Sequence, residues 1–116
     1  MSVENRRAMR VNAPFYVKLG FHAAGPEQKW EENVAKNVSE CGLAVNTSRE
    51  YPTNIILSLL LRIPTQPTLD WVEASGKIIT CTKVMDNAYT TRIEFVDLNS
   101  SIKEAIKRYV EWASKK

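Results

Sequence analysis

Asn37, Ser39 and Gly42 share one short stretch, Asn37-Val38-Ser39-Glu40-Cys41-Gly42, and Arg6, Arg7 and Arg10 crowd another. Asn37 can donate and accept hydrogen bonds and Ser39 carries a rotatable hydroxyl, so the pair can read a polar ligand edge. Two residues apart, they point to the same face if the stretch is a strand. Gly42 marks a turn or a place where something comes close to the backbone. An arginine fork donates two parallel hydrogen bonds to a phosphate or to the acceptor pair of guanine, and it stacks on planar rings. Arg6 and Arg10 are the strongest candidates for such contacts. Arg7 either adds charge toward a phosphate, helps accommodate a second stacked ligand, or stands by in solvent. Taken together these residue types suit a planar, anionic, hydrogen-bonding ligand, and a nucleotide fits that description best. Each stretch also has a plainer reading, as a turn of Asx or ST type and as a solvated basic tail.

Other chemistries lack their residues. One histidine, His22, accompanies two cysteines, which is no metal set. Glu31 and Glu32 are adjacent, so a strand sends them to opposite faces, unlike a working acid–base pair. Neither a Gly-rich phosphate loop nor a nucleophile elbow occurs. No catalytic residue, metal or cofactor is assigned, and the chain reads as a binding protein and not an enzyme. The Cys41 thiol is expected to fill a small gap in the core.

The 116 residues suffice for one domain with its own core, and 44% hydrophobic with 25% charged residues is ordinary for a globular chain. A net charge of +3 is too mild for a dedicated duplex binder. The polar start from Met1 to Arg10 resembles no secretory signal, and the apolar run from Ile55 to Leu61 is too short for a bilayer span. A cytoplasmic setting with reduced thiols is expected.

The elements that must position these residues follow from periodicity. Residues 1–13 lack an apolar period and read as a flexible arm. Pro14 to His22 alternates, with Phe15, Val17, Leu19 and Phe21 on one face. Ala23 to Pro26 reads as a turn. A strand over Lys29 to Val38 places Trp30, Val34 and Val38 on related positions, and Leu43 and Val45 begin the next. Thr47 to Pro52 reads as a loop. Ile55 to Ile63, apolar on both faces and ended by Pro64 and Pro67, is the most central strand. Leu69 to Val84, bent near Gly76, and Tyr89 to Val96 make a hairpin through Met85-Asp86-Asn87-Ala88. From 101 to 115 the period turns helical, with Ile102, Ala105, Ile106, Tyr109, Val110 and Ala113 on one stripe and a capping box of Ser101 and Glu104. Lys115 and Lys116 suit the negative end of that helix. Trp30, Trp71 and Trp112 are expected to cover the core. The fold class is therefore mainly β: a six-stranded antiparallel barrel over residues 14–116, with a C-terminal helix and an N-terminal arm.

The chain resembles the PilZ domain family of cyclic di-GMP receptors. The Arg-x-x-x-Arg motif of that family stands here as Arg6-Arg7-Ala8-Met9-Arg10, and its Asp/Asn-x-Ser-x-x-Gly motif as Asn37-Val38-Ser39-Glu40-Cys41-Gly42. The likeness extends through Phe95-Val96-Asp97-Leu98 and the last helix. It implies cyclic di-GMP as ligand and an unidentified effector protein as partner, with no nucleic acid and no membrane insertion. The ligand-binding residues it implies are Arg6, Arg7, Arg10, Asn37, Ser39 and Gly42. Two departures, Pro52-Thr53-Asn54 before the central strand and Arg92-Ile93-Glu94-Phe95 where the family favours a small residue, bear on loop geometry and leave the ligand motif untouched. The alternatives are a PilZ-like adaptor that binds protein without ligand, and a small barrel for single-stranded nucleic acid that uses Tyr16, Trp30 and Trp71.

Overall fold

The computed structural model describes residues 11–12, 15–21, 30–63 and 71–114. Its elements are β1 (Val11–Asn12), β2 (Tyr16–Phe21), β3 (Glu31–Val38), β4 (Gly42–Thr47), β5 (Ile56–Arg62), β6 (Val72–Met85), β7 (Ala88–Val96) and α1 (Ser100–Ser114). All pairings are antiparallel in the order β1-β3-β2-β5-β6-β7-β4, and β4 pairs again with β3, which closes six strands into a barrel. Closure leaves no long free edge around the ring. Strand β5 lies between β2 and β6 as its strongly apolar run predicts, with Leu57, Leu59 and Leu61 wholly buried. Its other face is not buried: Ile56 is 43% exposed, because the outside of a single-layer barrel meets solvent.

Two of the expected arm residues are strand. Val11 pairs with Val38 and Asn12 with Asn37, so β1 continues alongside β3 where β2 has left it. Residues 1–10, with Arg6, Arg7 and Arg10, lie outside the described residues, as do His22, the turn at 23–26, Pro64, Pro67 and Lys115–Lys116.

The helix caps one side of the barrel. Ala105, Ile106, Tyr109 and Val110 join the barrel residues in one core, and Phe15 meets Tyr109 edge to face at 5.4 Å and 83°. Its N-cap is Asn99, not Ser101: the Asn99 carboxamide oxygen accepts from the Ser101 N–H and hydroxyl, both at 2.7 Å. The chain reverses into this cap through Asp97, at φ 50°.

Two further expectations give way. Trp30 and Trp112 are 37% and 49% exposed. Trp71 lies on the outer surface between Lys18 and Arg62, whose charged groups stand 4.6 and 5.1 Å from its ring centre. None of the three tryptophans is sealed in the core, because the inward positions of a narrow barrel are filled by Leu, Ile and Val. The irregularities in β6 fall between Ile78 and Thr80 and between Lys83 and Met85, where the register against β7 slips by one, and not at Gly76. At Gly76 the strand instead packs tightly, since a Cβ there would meet the side chains of Ile93 and Leu59.

Glu31 and Glu32 do take opposite sides of β3, and Glu31 turns out to organise the far end of the β3–β4 hairpin. Its side chain is 12% exposed. One carboxylate oxygen accepts from Asn33 at 2.8 Å and from the Ser48 N–H and hydroxyl at 2.6 and 3.0 Å, and the other accepts from the Tyr51 hydroxyl at 2.8 Å. Burial pushes the Glu31 pKa up, but these hydrogen bonds outweigh it and hold the group below its ordinary value. Burial and the neighbouring carboxylate in turn raise the Tyr51 phenol. A depressed carboxylate stabilises the fold above its unfolded pKa of about 4.3, and that contribution is lost as pH falls through the folded value. Glu31→Gln should therefore lower stability at neutral pH by about 1–2 kcal/mol. In melts from pH 7 to pH 3 the gap between variant and parent should close at the acid end; a gap independent of pH would show that the charge of Glu31 contributes nothing.

Candidate ligand-binding site

The stretch Asn37 to Gly42 is the tight end of the β3–β4 hairpin. Strand β3 ends at Val38, residues 39–41 turn, and the Ser39 N–H donates to the Gly42 carbonyl at 2.8 Å to close the loop. The register between β3 and β4 slips between Ala35 and Asn37, a bulge of one residue. Before the bulge Ala35 points inward; after it Val38 does, three positions on. Asn37 is thereby turned to the outer face, opposite Ala44. The same slip puts Val34, 44% exposed, outside and Val38 inside, so Trp30, Val34 and Val38 do not share a face as period two requires.

Asn37 and Ser39 do not share a face either. Ser39 is past the strand and 2% exposed. Its hydroxyl accepts from the Cys41 N–H at 3.1 Å and reaches the Gly42 carbonyl at 3.5 Å, which is the side-chain-to-backbone pattern of an ST turn. With Ser39 taking the inward position, Cys41 is turned out, and its thiol is exposed where core filling was expected. Cys41 and Cys81 are both free thiols. The Cys41 carbonyl accepts from the Phe95 N–H at 2.8 Å, so the turn is tied to the end of β7.

Gly42 is required by that tie. A Cβ on Gly42 would fall on the Ile93 carbonyl oxygen and lie 3.0 Å from the Glu94 Cα. The close approach for which glycine is needed is first of all that of β7.

Registers across the barrel place Asn12, Asn37, Ala44, Arg92 and Thr80 in one row, on β1, β3, β4, β7 and β6. Arg92 is exposed, flanked along β7 by the inward Thr91 and Ile93. The departure at Arg92 is therefore no remote matter of loop geometry. Barrel closure brings it within two strands of Asn37, and adjacent strands lie about 4.8 Å apart. Sequence reading missed this because the β4–β7 pairing joins strands far apart in the chain; only the outward parity of Arg92 in its strand was there to be seen. Two hollows adjoin the turn. One of about 450 Å³ lies between Glu40, Cys41, Glu94, Asp97 and Lys103, and one of about 240 Å³ beside Cys41, Gly42, Thr80, Arg92 and Glu94.

Residues 4–112 match the sequence profile of the PilZ domain. The chain belongs to the PilZ domain family. No functionally curated protein matches it by sequence. By structure it is similar to the Bacillus subtilis inhibitor of motility MotI/DgrA, at 16% identity and a TM-score of 0.77 over 95% of this chain and 51% of that one. It is also similar to the PilZ domain of YcgR from Escherichia coli with c-di-GMP, at 11% identity and 0.66 over 95% and 92%. The Klebsiella pneumoniae MrkH–c-di-GMP complex matches at 15% and 0.62 over 96% and 55%. This PilZ domain thus spans about half the length of MotI and MrkH. The other departure has a simple physical basis. Before β5, where the family favours glycine, Asn54 stands at φ 70°, a left-handed conformation that asparagine adopts more readily than most residues.

Among the described residues, His, Cys, Asp and Glu side chains nowhere gather in a set that could hold a metal ion. Among the same residues no helix is long and apolar enough to cross a membrane.

Proposed function

We propose that this PilZ domain is a cyclic di-GMP receptor that changes conformation on binding and signals to a partner protein. The observation that carries the reading is the register of β1. Val11 faces Val38 and Asn12 faces Asn37, and Val11 directly follows Arg10 in the chain, which supports a reading in which the two motifs act together. Structural neighbours in complex with c-di-GMP support it. In this reading Arg6 and Arg10 donate to guanine and phosphate, and Arg7 adds charge toward the phosphates. Asn37 reads a base edge. Ser39 and Gly42 act mainly by setting the turn, since the Ser39 hydroxyl is already engaged within it. The partner takes up the signal from the surface that arm and ligand form together.

Guanine presents O6 and N7 as adjacent acceptors, whereas adenine presents one acceptor and one donor, so arginine forks discriminate by ~1–3 kcal/mol for each good pair. Calorimetric titration of the full chain should show binding of cyclic di-GMP and at least about tenfold weaker binding of cyclic di-AMP. Equal affinity for the two, or none for either, would sink the reading.

A further inference from the structure

We infer that Arg92 is a further ligand-binding residue of this site, contributed by β7 and aimed at a guanine base. The inference rests on the receptor reading above and adds to it a contact outside both motifs. Three observations carry it. Arg92 faces outward opposite Ala44, which in turn faces Asn37, so a small residue separates two polar ones across the outer face. Among the described residues no ion pair engages the Arg92 guanidinium. And Arg92 lines the hollow of about 240 Å³ that opens against Cys41 and Gly42, the end of the second motif.

The chemistry of that hollow selects a base over a phosphate. Glu94 lies two residues from Arg92 on the same strand face, and both line the hollow with Thr80. A carboxylate beside the guanidinium opposes a phosphate but suits guanine, whose N1–H and N2 amino group donate while its O6 and N7 accept. One guanidinium at the O6/N7 edge and one carboxylate at the N1–H/N2 edge therefore complement one guanine ring without excess charge. The volume agrees: it falls below the ~300–1,000 Å³ of pockets that enclose a whole drug-sized ligand, and suits a single base of a dinucleotide laid across the barrel.

The test is a calorimetric titration of the full chain with cyclic di-GMP and cyclic di-AMP, for the parent, Arg92→Ala and Arg92→Lys. Arg92 is an exposed strand residue, so both variants should melt with the parent in the absence of ligand. Arg92→Ala should bind cyclic di-GMP roughly tenfold or more weakly and discriminate less against cyclic di-AMP. Arg92→Lys should remain weakened, because an ammonium group keeps the charge but not the fork. Arg92→Ala binding like the parent would overturn the contact, and Arg92→Lys binding like the parent would overturn the base assignment. A parent that binds neither dinucleotide would fail the receptor reading and this contact with it. A parent that binds beside an unaffected Arg92→Ala fails the contact alone.

Discussion

Gly42→Val is expected to unfold this barrel more readily whether or not ligand is present. The new side chain would have to displace the Ile93 carbonyl and the Glu94 Cα, which are main-chain atoms of β7. That strand is held from its other side by β6 and tied to the turn by the Phe95 N–H to Cys41 carbonyl bond of 2.8 Å. It has no room to retreat without breaking the β4–β7 pairing that closes the ring. The cost should be about 3 kcal/mol or more, at the upper end of what overpacking inflicts. For a domain of this size that is a fall of roughly 10–20 °C in Tm, readable by circular dichroism without ligand. A ligand-free Tm equal to that of the parent would show that β7 yields easily, and that the glycine serves the ligand alone. A glycine inside a proposed binding motif thus invites misreading, since lost binding in Gly42→Val would follow from a damaged barrel as readily as from a blocked site.

The arginine motif should behave in the opposite way. Arg6→Ala combined with Arg10→Ala should leave the ligand-free Tm within a degree or two of the parent, because residues 1–10 carry few apolar side chains to bury. The same double variant should lose about a hundredfold or more in affinity for cyclic di-GMP, since each charge-assisted contact is worth about 1.5–3 kcal/mol. It should also lose the thermal stabilisation that ligand confers on the parent. Amide exchange sharpens the comparison. Val11 and Asn12 are paired to β3 and should be protected in both proteins, whereas residues 5–10 should slow on ligand addition in the parent only. A double variant that melts far below the parent would make these arginines structural and remove the basis for a ligand-ordered arm.

Much of this was legible in the sequence, and the exceptions share a cause. Strands and helix were readable because burial on one face imposes a period, and the period is written in the residues: Val17 and Leu19, Leu57 to Leu61, Ala105 to Val110. The two motif strings could be quoted from the sequence because each is local. What escaped depends on pairing between strands. The bulge between Ala35 and Asn37 cannot be seen from β3 alone, yet it decides that Asn37 faces out and Val38 in. The inward turn of Ser39, and with it the exposure of Cys41, follows from where β3 stops. Arg92 looked remote because nothing local says that β7 runs beside β4. At α1 the residue types suggested Ser101 as the cap, and the hydrogen bonds to Asn99 place it two residues earlier.

The division of labour between glycine and asparagine bears on how far this chain can drift. Among the described residues no glycine has a positive φ; the left-handed positions belong to Asn54, Asn87 and Asp97, at 70°, 60° and 50°. Such a position accepts asparagine, aspartate or glycine with little change in energy, so turn tips of this kind are free to exchange among those residues over generations. A position where a single methyl group would land on a neighbouring main-chain carbonyl has no such synonyms. The lineage of this barrel should therefore be traced by its crowded glycines and not by its turns, and a comparison that weighs every glycine alike would count substitutions at the turns as divergence when the backbone has not moved.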